Sequence, residues 1–164
     1  MKPNYKRKQE KRSNHHRLYA PISGRMIPLS SVPDPVFGNK MFGDGVAINP
    51  ADDVIVAPCN ANVAMIPYFR QSIGLETDAG DMILIHIGTN CEVFRGKGFE
   101  TLVSEGSRVR PGTPLIRMNR RFLESQNADM TVCMVITNLK GPDFRILDAD
   151  VLQAGRTPVM EKKS

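Results

Sequence analysis

Nowhere in this 164-residue chain do apolar side chains run on for anything near the ~20 positions that a membrane helix requires. There are three cysteines, Cys59, Cys91 and Cys133. They lie far apart, form no CxxC pair and are odd in number, so no disulfide framework is implied and a reducing cytosol is the expected compartment. The histidines show no HxH or HExxH spacing, so no metal site is expected. A GxSxG elbow, a glycine-rich phosphate loop and a dinucleotide fingerprint are missing too. The N-terminus is positively charged but has no apolar segment behind the charges, so no secretory signal peptide is expected.

The net charge of +5 is unevenly distributed. Residues 1–17 hold Lys2, Lys6, Arg7, Lys8, Lys11, Arg12 and Arg17 against Glu10, while the rest of the chain carries fifteen basic and sixteen acidic residues. The body is therefore nearly neutral, and the basic character belongs to a tail. Residues 1–18 contain almost nothing apolar and read as a disordered basic tail, ahead of one domain over 19–160. A solvated leader is one reading of the tail. Peripheral membrane association is the other, with each Lys or Arg worth about 1 kcal/mol at an anionic surface. The tail is too short and too free of aromatics to read nucleic acid, so no nucleic-acid partner is expected.

From Tyr19 onward short apolar runs alternate with turn residues. Strands are expected over 24–29, 45–49, 53–57, 62–66, 72–77, 81–87, 113–118, 131–137 and 144–147, with a hairpin tip at Asp78-Ala79-Gly80. Many short, evenly spaced strands indicate an all-β antiparallel sandwich or barrel. One or two short helices accompany them: Asn119 can cap a helix over 120–126, and a single turn is expected near 35–40. Residues 161–164 are expected to fray.

The stretch Leu84-Ile85-His86-Ile87-Gly88 holds the residue of greatest chemical interest. With a period of two, Met82, Leu84 and His86 share one face of their strand and Ile83, Ile85 and Ile87 the other. A strand apolar on both faces lies in a covered sheet. A histidine there is either a hydrogen-bonded core residue or a nucleophile with a fixed direction.

Several ordered motifs separate these readings. Pro21-Ile22-Ser23-Gly24, Val32-Pro33-Asp34-Pro35-Val36-Phe37, Gly43-Asp44-Gly45-Val46-Ala47-Ile48, Val56-Ala57-Pro58, Ile73-Gly74-Leu75-Glu76-Thr77, Leu84–Gly88, Gly96-Lys97-Gly98-Phe99-Glu100 and Val135-Ile136-Thr137-Asn138 follow one another through the chain. Together they resemble the glucose-family enzyme IIA (EIIA) of the bacterial phosphoenolpyruvate-dependent sugar phosphotransferase system, over roughly residues 20–160. The resemblance implies an antiparallel β-sandwich (the duplicated hybrid motif) and a phosphoryl-carrier activity without a cofactor. It implies that His86 accepts the phosphoryl group on Nε2 from the small carrier protein HPr and passes it to a IIB domain of the sugar permease. The Gly88 carbonyl is expected to accept the Nδ1 proton. Asp34, Val36, Phe37, Met41, Phe42 and the position of Asn90 correspond to the partner-binding surface.

The pattern departs from the family at three places. Gln71 stands where the family has a second histidine that supports transfer, and an amide donates a hydrogen bond but exchanges no proton. Loss of a charge-assisted bond there is worth about 1.5–3 kcal/mol. Asn90 stands where the family has an aspartate that docks basic partner residues, and Phe69 replaces a threonine. With one of two imidazoles gone, no zinc is expected. Arg70 is either a solvated residue or a substitute partner for the phosphoryl group. These changes keep a second function in view, a regulatory IIA that binds targets but relays phosphate poorly. A lipoyl-type swinging-arm domain is disfavoured because no modifiable lysine sits at a hairpin tip.

Overall fold

Short apolar runs punctuated by glycine and proline draw this chain into antiparallel strands. The computed structural model describes residues 17–138 and 143–163. Its strands are β1 (Arg17–Tyr19), β2 (Gly24–Ile27), β3 (Asp44–Pro50), β4 (Val54–Val56), β5 (Ala61–Met65), β6 (Ser72–Glu76), β7 (Met82–Thr89), β8 (Phe99–Thr101), β9 (Arg108–Val109), β10 (Pro114–Met118), β11 (Asp129–Ile136), β12 (Phe144–Ile146), β13 (Val151–Leu152) and β14 (Pro158–Lys162). Two short helices, α1 (Pro35–Gly38) and α2 (Arg120–Ser125), complete the regular structure together with 3-10 turns at Leu29–Ser31 and Cys91–Phe94.

Eight strands form the main sheet in the order β13-β2-β3-β11-β7-β6-β5-β9. Two three-stranded sheets, β1-β14-β12 and β4-β10-β8, accompany it. Every pairing among the described residues is antiparallel. The expected all-β sandwich is therefore the observed class. The hairpin joining β6 to β7 turns at the expected tip, where the Thr77 amide donates to the Asp81 carbonyl at 3.0 Å and the Gly80 amide to the Thr77 carbonyl at 2.9 Å.

Strand β7 lies inside the sheet between β11 and β6 and divides the interior in two. Ile83, Ile85 and Ile87 point into the large core together with Ile73, Leu75, Ile116, Val132 and Met134. Burying each such side chain stabilises the fold by about 1.5–3 kcal/mol. The opposite face carries Leu84 against a smaller cluster of Leu29, Val32, Phe37, Ala47, Cys133 and Val135. That cluster exists because residues 29–38 fold back over the sheet. The Asp34 carboxylate caps α1 by accepting from the Val36 amide at 2.9 Å, and Pro35 supplies a preset backbone angle at the first helical position. The same logic starts α2, where the Asn119 side chain accepts from the Phe122 amide at 3.0 Å and Leu123 enters the core.

The structure corrects three expectations at the chain ends and in the short strands. Arg17 and Leu18, assigned to the tail from sequence, belong to β1, and Leu18 is buried. The rest of the expected tail, residues 1–16, lies outside the described residues. Glu161 and Lys162 do not fray: Glu161 pairs with Arg17 and Arg145, and Lys162 with Phe144. Strands β1, β8, β9 and β13, two or three residues each, were not expected; pairing with distant strands, and not a local pattern, makes them strands.

Candidate functional site

His86 sits on the thinly covered face of β7. Its direct neighbours across the ladder are Ser72 of β6 and Cys133 of β11. From above, the Phe37 ring leans on the imidazole with centroids 4.9 Å apart and planes inclined by 30°. Phe42 meets Phe37 edge-on at 5.4 Å, so the order is imidazole, buried ring, exposed ring. Phe37 is only 2% exposed and forms the wall of the site. Met41 and Phe42, at 70% and 50% exposure, are the apolar surface, and Val36 is half-buried.

The imidazole is half-buried, and burial pushes its pKa below the ordinary 6.5. Three features oppose that shift: the charge of Glu92, the charge of Asp34 and a hydrogen bond to the Gly88 backbone. Burial outweighs them, which favours the neutral ring at pH 7. The Gly88 contact depends on an unusual backbone. Gly88 has φ 75°, and a side chain there would place Cβ 2.4 Å from the Asp129 carbonyl oxygen and 2.5 Å from Cys91 Sγ. Glycine is therefore required for β7 to bend at this point.

Gln71 precedes β6 and is buried at 5% exposure. Its carbonyl accepts the Ile87 amide at 2.8 Å, which ties it to the residue after His86. Its side-chain Nε2 donates to Glu92 Oε1 at 3.1 Å, while Oε1 of the same amide is buried without a partner. Asn90 is exposed and left-handed at φ 58°, a conformation asparagine tolerates, and it starts the turn that carries Glu92 without capping it through its side chain. Arg70 is exposed and also left-handed, at φ 58°. Asp34 serves both as helix cap and as a charge acting on His86.

Glu92 is the site residue that sequence reasoning missed. It lies in a 3-10 turn bounded by two left-handed residues, where spacing along the chain says little about direction. Cys91 is next to it, but burial pushes that thiol up to about 11, so it stays protonated at neutral pH. Cys133, across the ladder from His86, is pushed up to about 12 for the same reason. Among the described residues no three His, Cys, Asp or Glu side chains converge as a metal-binding set. No helix among them is long and apolar enough to cross a membrane. The chemistry available is thus that of one oriented, neutral imidazole beside an apolar rim, with two carboxylates near enough to act on it.

Comparison with known proteins agrees with this geometry. The model of the family "phosphoenolpyruvate-dependent sugar phosphotransferase system, EIIA 1" matches residues 16–141. The glucose-specific EIIA components of Staphylococcus aureus strains Mu50 and N315 are each 35% identical over 145 residues, covering 88% of this chain and 87% of theirs. Among solved structures, the glucose permease IIA from Mycoplasma capricolum superposes with a TM-score of 0.80 at 28% identity, covering 88% of this chain and 94% of that one. With its family model matched across most of its length, its strands arranged as in a solved IIA and its relatives more than a third identical, the chain belongs to the EIIA 1 family of the sugar phosphotransferase system, whose members are phosphoryl-carrying phosphotransferase components.

Proposed function

We propose that His86 is the phosphoryl acceptor of this IIA component, loaded by phospho-HPr and unloaded onto a IIB domain of a IIB/IIC sugar permease. The observation that carries this reading is the half-buried, neutral imidazole bonded to the Gly88 backbone. The proton rests on Nδ1 toward Gly88, and the Nε2 lone pair is left for phosphorus. The transfer consists mainly of in-line positioning, for which a rigid strand suffices. Phe37 on one side of the ring and Met41 and Phe42 beyond it exclude water from a hydrolysable N–P bond. The exposed apolar pair is also a docking surface, with Asp34 supplying negative charge for a basic partner. Such a protein works in the cytoplasm beside the permease, and the basic segment before Arg17 suits an anionic membrane surface. The named relatives make a glucose-type permease the first substrate system to test.

Incubation with phosphoenolpyruvate, enzyme I and HPr puts an acid-labile phosphate on His86, and the label moves to added IIB. No label on His86 overturns the reading. Label that stays on His86 favours the second function, a regulatory IIA that binds targets but relays poorly. Gln71, buried and committed to Glu92, is the observation behind that alternative.

A further inference from the structure

We propose that Glu92 tunes the relay at His86: its carboxylate fixes the Gln71 amide beside the site, and its charge disfavours a phosphoryl group on the ring, so that His86 fills less readily and empties more readily. The inference rests on His86 being the acceptor.

The first part follows from hydrogen-bond chemistry. An ionised carboxylate only accepts, so the amide must turn its nitrogen toward Glu92. Gln71 Nε2 does so at 3.1 Å, and its carbonyl oxygen is thereby left buried and unmatched. Leaving a buried acceptor unpaired is costly, and the bond to a charged group is what holds the amide in that orientation. Glu92 is itself exposed, and its backbone direction is set by a turn entered at Asn90 (φ 58°) and left at Arg95 (φ 50°). One N–H of the amide is spent on Glu92. The other remains for an oxygen arriving at the site.

The second part follows from charge. Glu92 and Asp34 both act on the imidazole, and Glu92 acts more strongly. A phosphoryl group brings close to two negative charges into that field at neutral pH. In the loading step the N–P bond of the donor phosphohistidine breaks and leaves its electron pair on the donor nitrogen. A new N–P bond forms from the His86 lone pair, and the ring keeps its other proton. In the unloading step that N–P bond breaks and a cysteine thiolate of IIB forms an S–P bond. Repulsion from Glu92 raises the energy of the state between the two steps, so it opposes the first and assists the second. A site whose glutamine exchanges no proton gains its push toward the next carrier in this way.

The test is the variant Glu92→Gln, whose amide oxygen still accepts from Gln71 while the charge is gone. At a fixed ratio of phospho-HPr to HPr, the ratio of phosphorylated to free protein rises roughly 3- to 10-fold in E92Q, and onward transfer to IIB slows. In the unphosphorylated protein, the ring titration of His86 followed by NMR moves to lower pH, a change that a purely structural role does not produce. Thermal melting of E92Q confirms that the variant is folded. Glu92→Leu, which also releases the Gln71 amide, separates the two parts: it gains phosphate occupancy as E92Q does, but also loses transfer rate in both directions. Equal occupancy and an unmoved ring titration in E92Q overturn the proposal. If neither wild type nor variant takes label, the acceptor reading fails and this inference fails with it, so the two failures are told apart.

Discussion

The two faces of β7 carry the same backbone and opposite duties. On one face Ile83, Ile85 and Ile87 are sealed in the main core. On the other, Leu84 and His86 lie beneath a single folded-back segment that is itself held by one helix cap, the Asp34 carboxylate on the Val36 amide. The deep face sets how firmly the strand is placed. The shallow face sets what the strand can react with. A nucleophile gains direction from the first and access from the second, and period-two alternation is what lets neighbouring residues serve both needs.

Substitutions on the two faces should therefore fail in different ways. The largest effect expected is from His86→Gln, which abolishes acid-labile labelling while leaving the free energy of urea unfolding within about 1 kcal/mol of wild type, since the ring is only half-buried. One residue earlier, Ile85→Ala does the reverse. It costs about 2–5 kcal/mol in urea unfolding, and whatever remains folded still takes label. A smaller effect comes from the rim. Met41→Ser together with Phe42→Ser weakens association with HPr by about 10-fold in titration calorimetry, with little change in melting temperature. The smallest is a pH effect. Because the folded-state pKa of His86 is lowered, the unfolded chain takes up a proton first as pH falls below 6.5. The stability due to this residue is full above that value and declines below it, and H86Q removes that part of the pH dependence of unfolding.

Much of this was legible beforehand, for identifiable reasons. The nine expected strands announce themselves by alternation or by apolar runs between turns, and Asn119 marks the start of α2. His86 stands out as the one polar side chain between Met82 and Ile87. Strand β14 was hidden because Pro158, Glu161 and Lys162 look like a loose end until distant Arg17 and Phe144 are brought beside them. The burial of Phe37 was hidden for a related reason. A segment rich in proline and glycine reads as surface, but the Asp34 cap folds it down and drives that ring onto the imidazole. Glu92 was invisible because left-handed residues on both sides set its direction, and no spacing rule encodes them.

The pairing of β1 with β14 has a practical outcome for protein engineering. Arg17 lies opposite Glu161, so the first and last strands among the described residues run side by side. A short glycine-serine bridge joining residues 17 and 163 would close that span into a ring, and the exposed Asp78–Gly80 tip then becomes a natural place to reopen it. Such a circular permutant would keep both faces of β7 intact and give the strand a new terminus next to it, a convenient handle for tethering the protein to a surface.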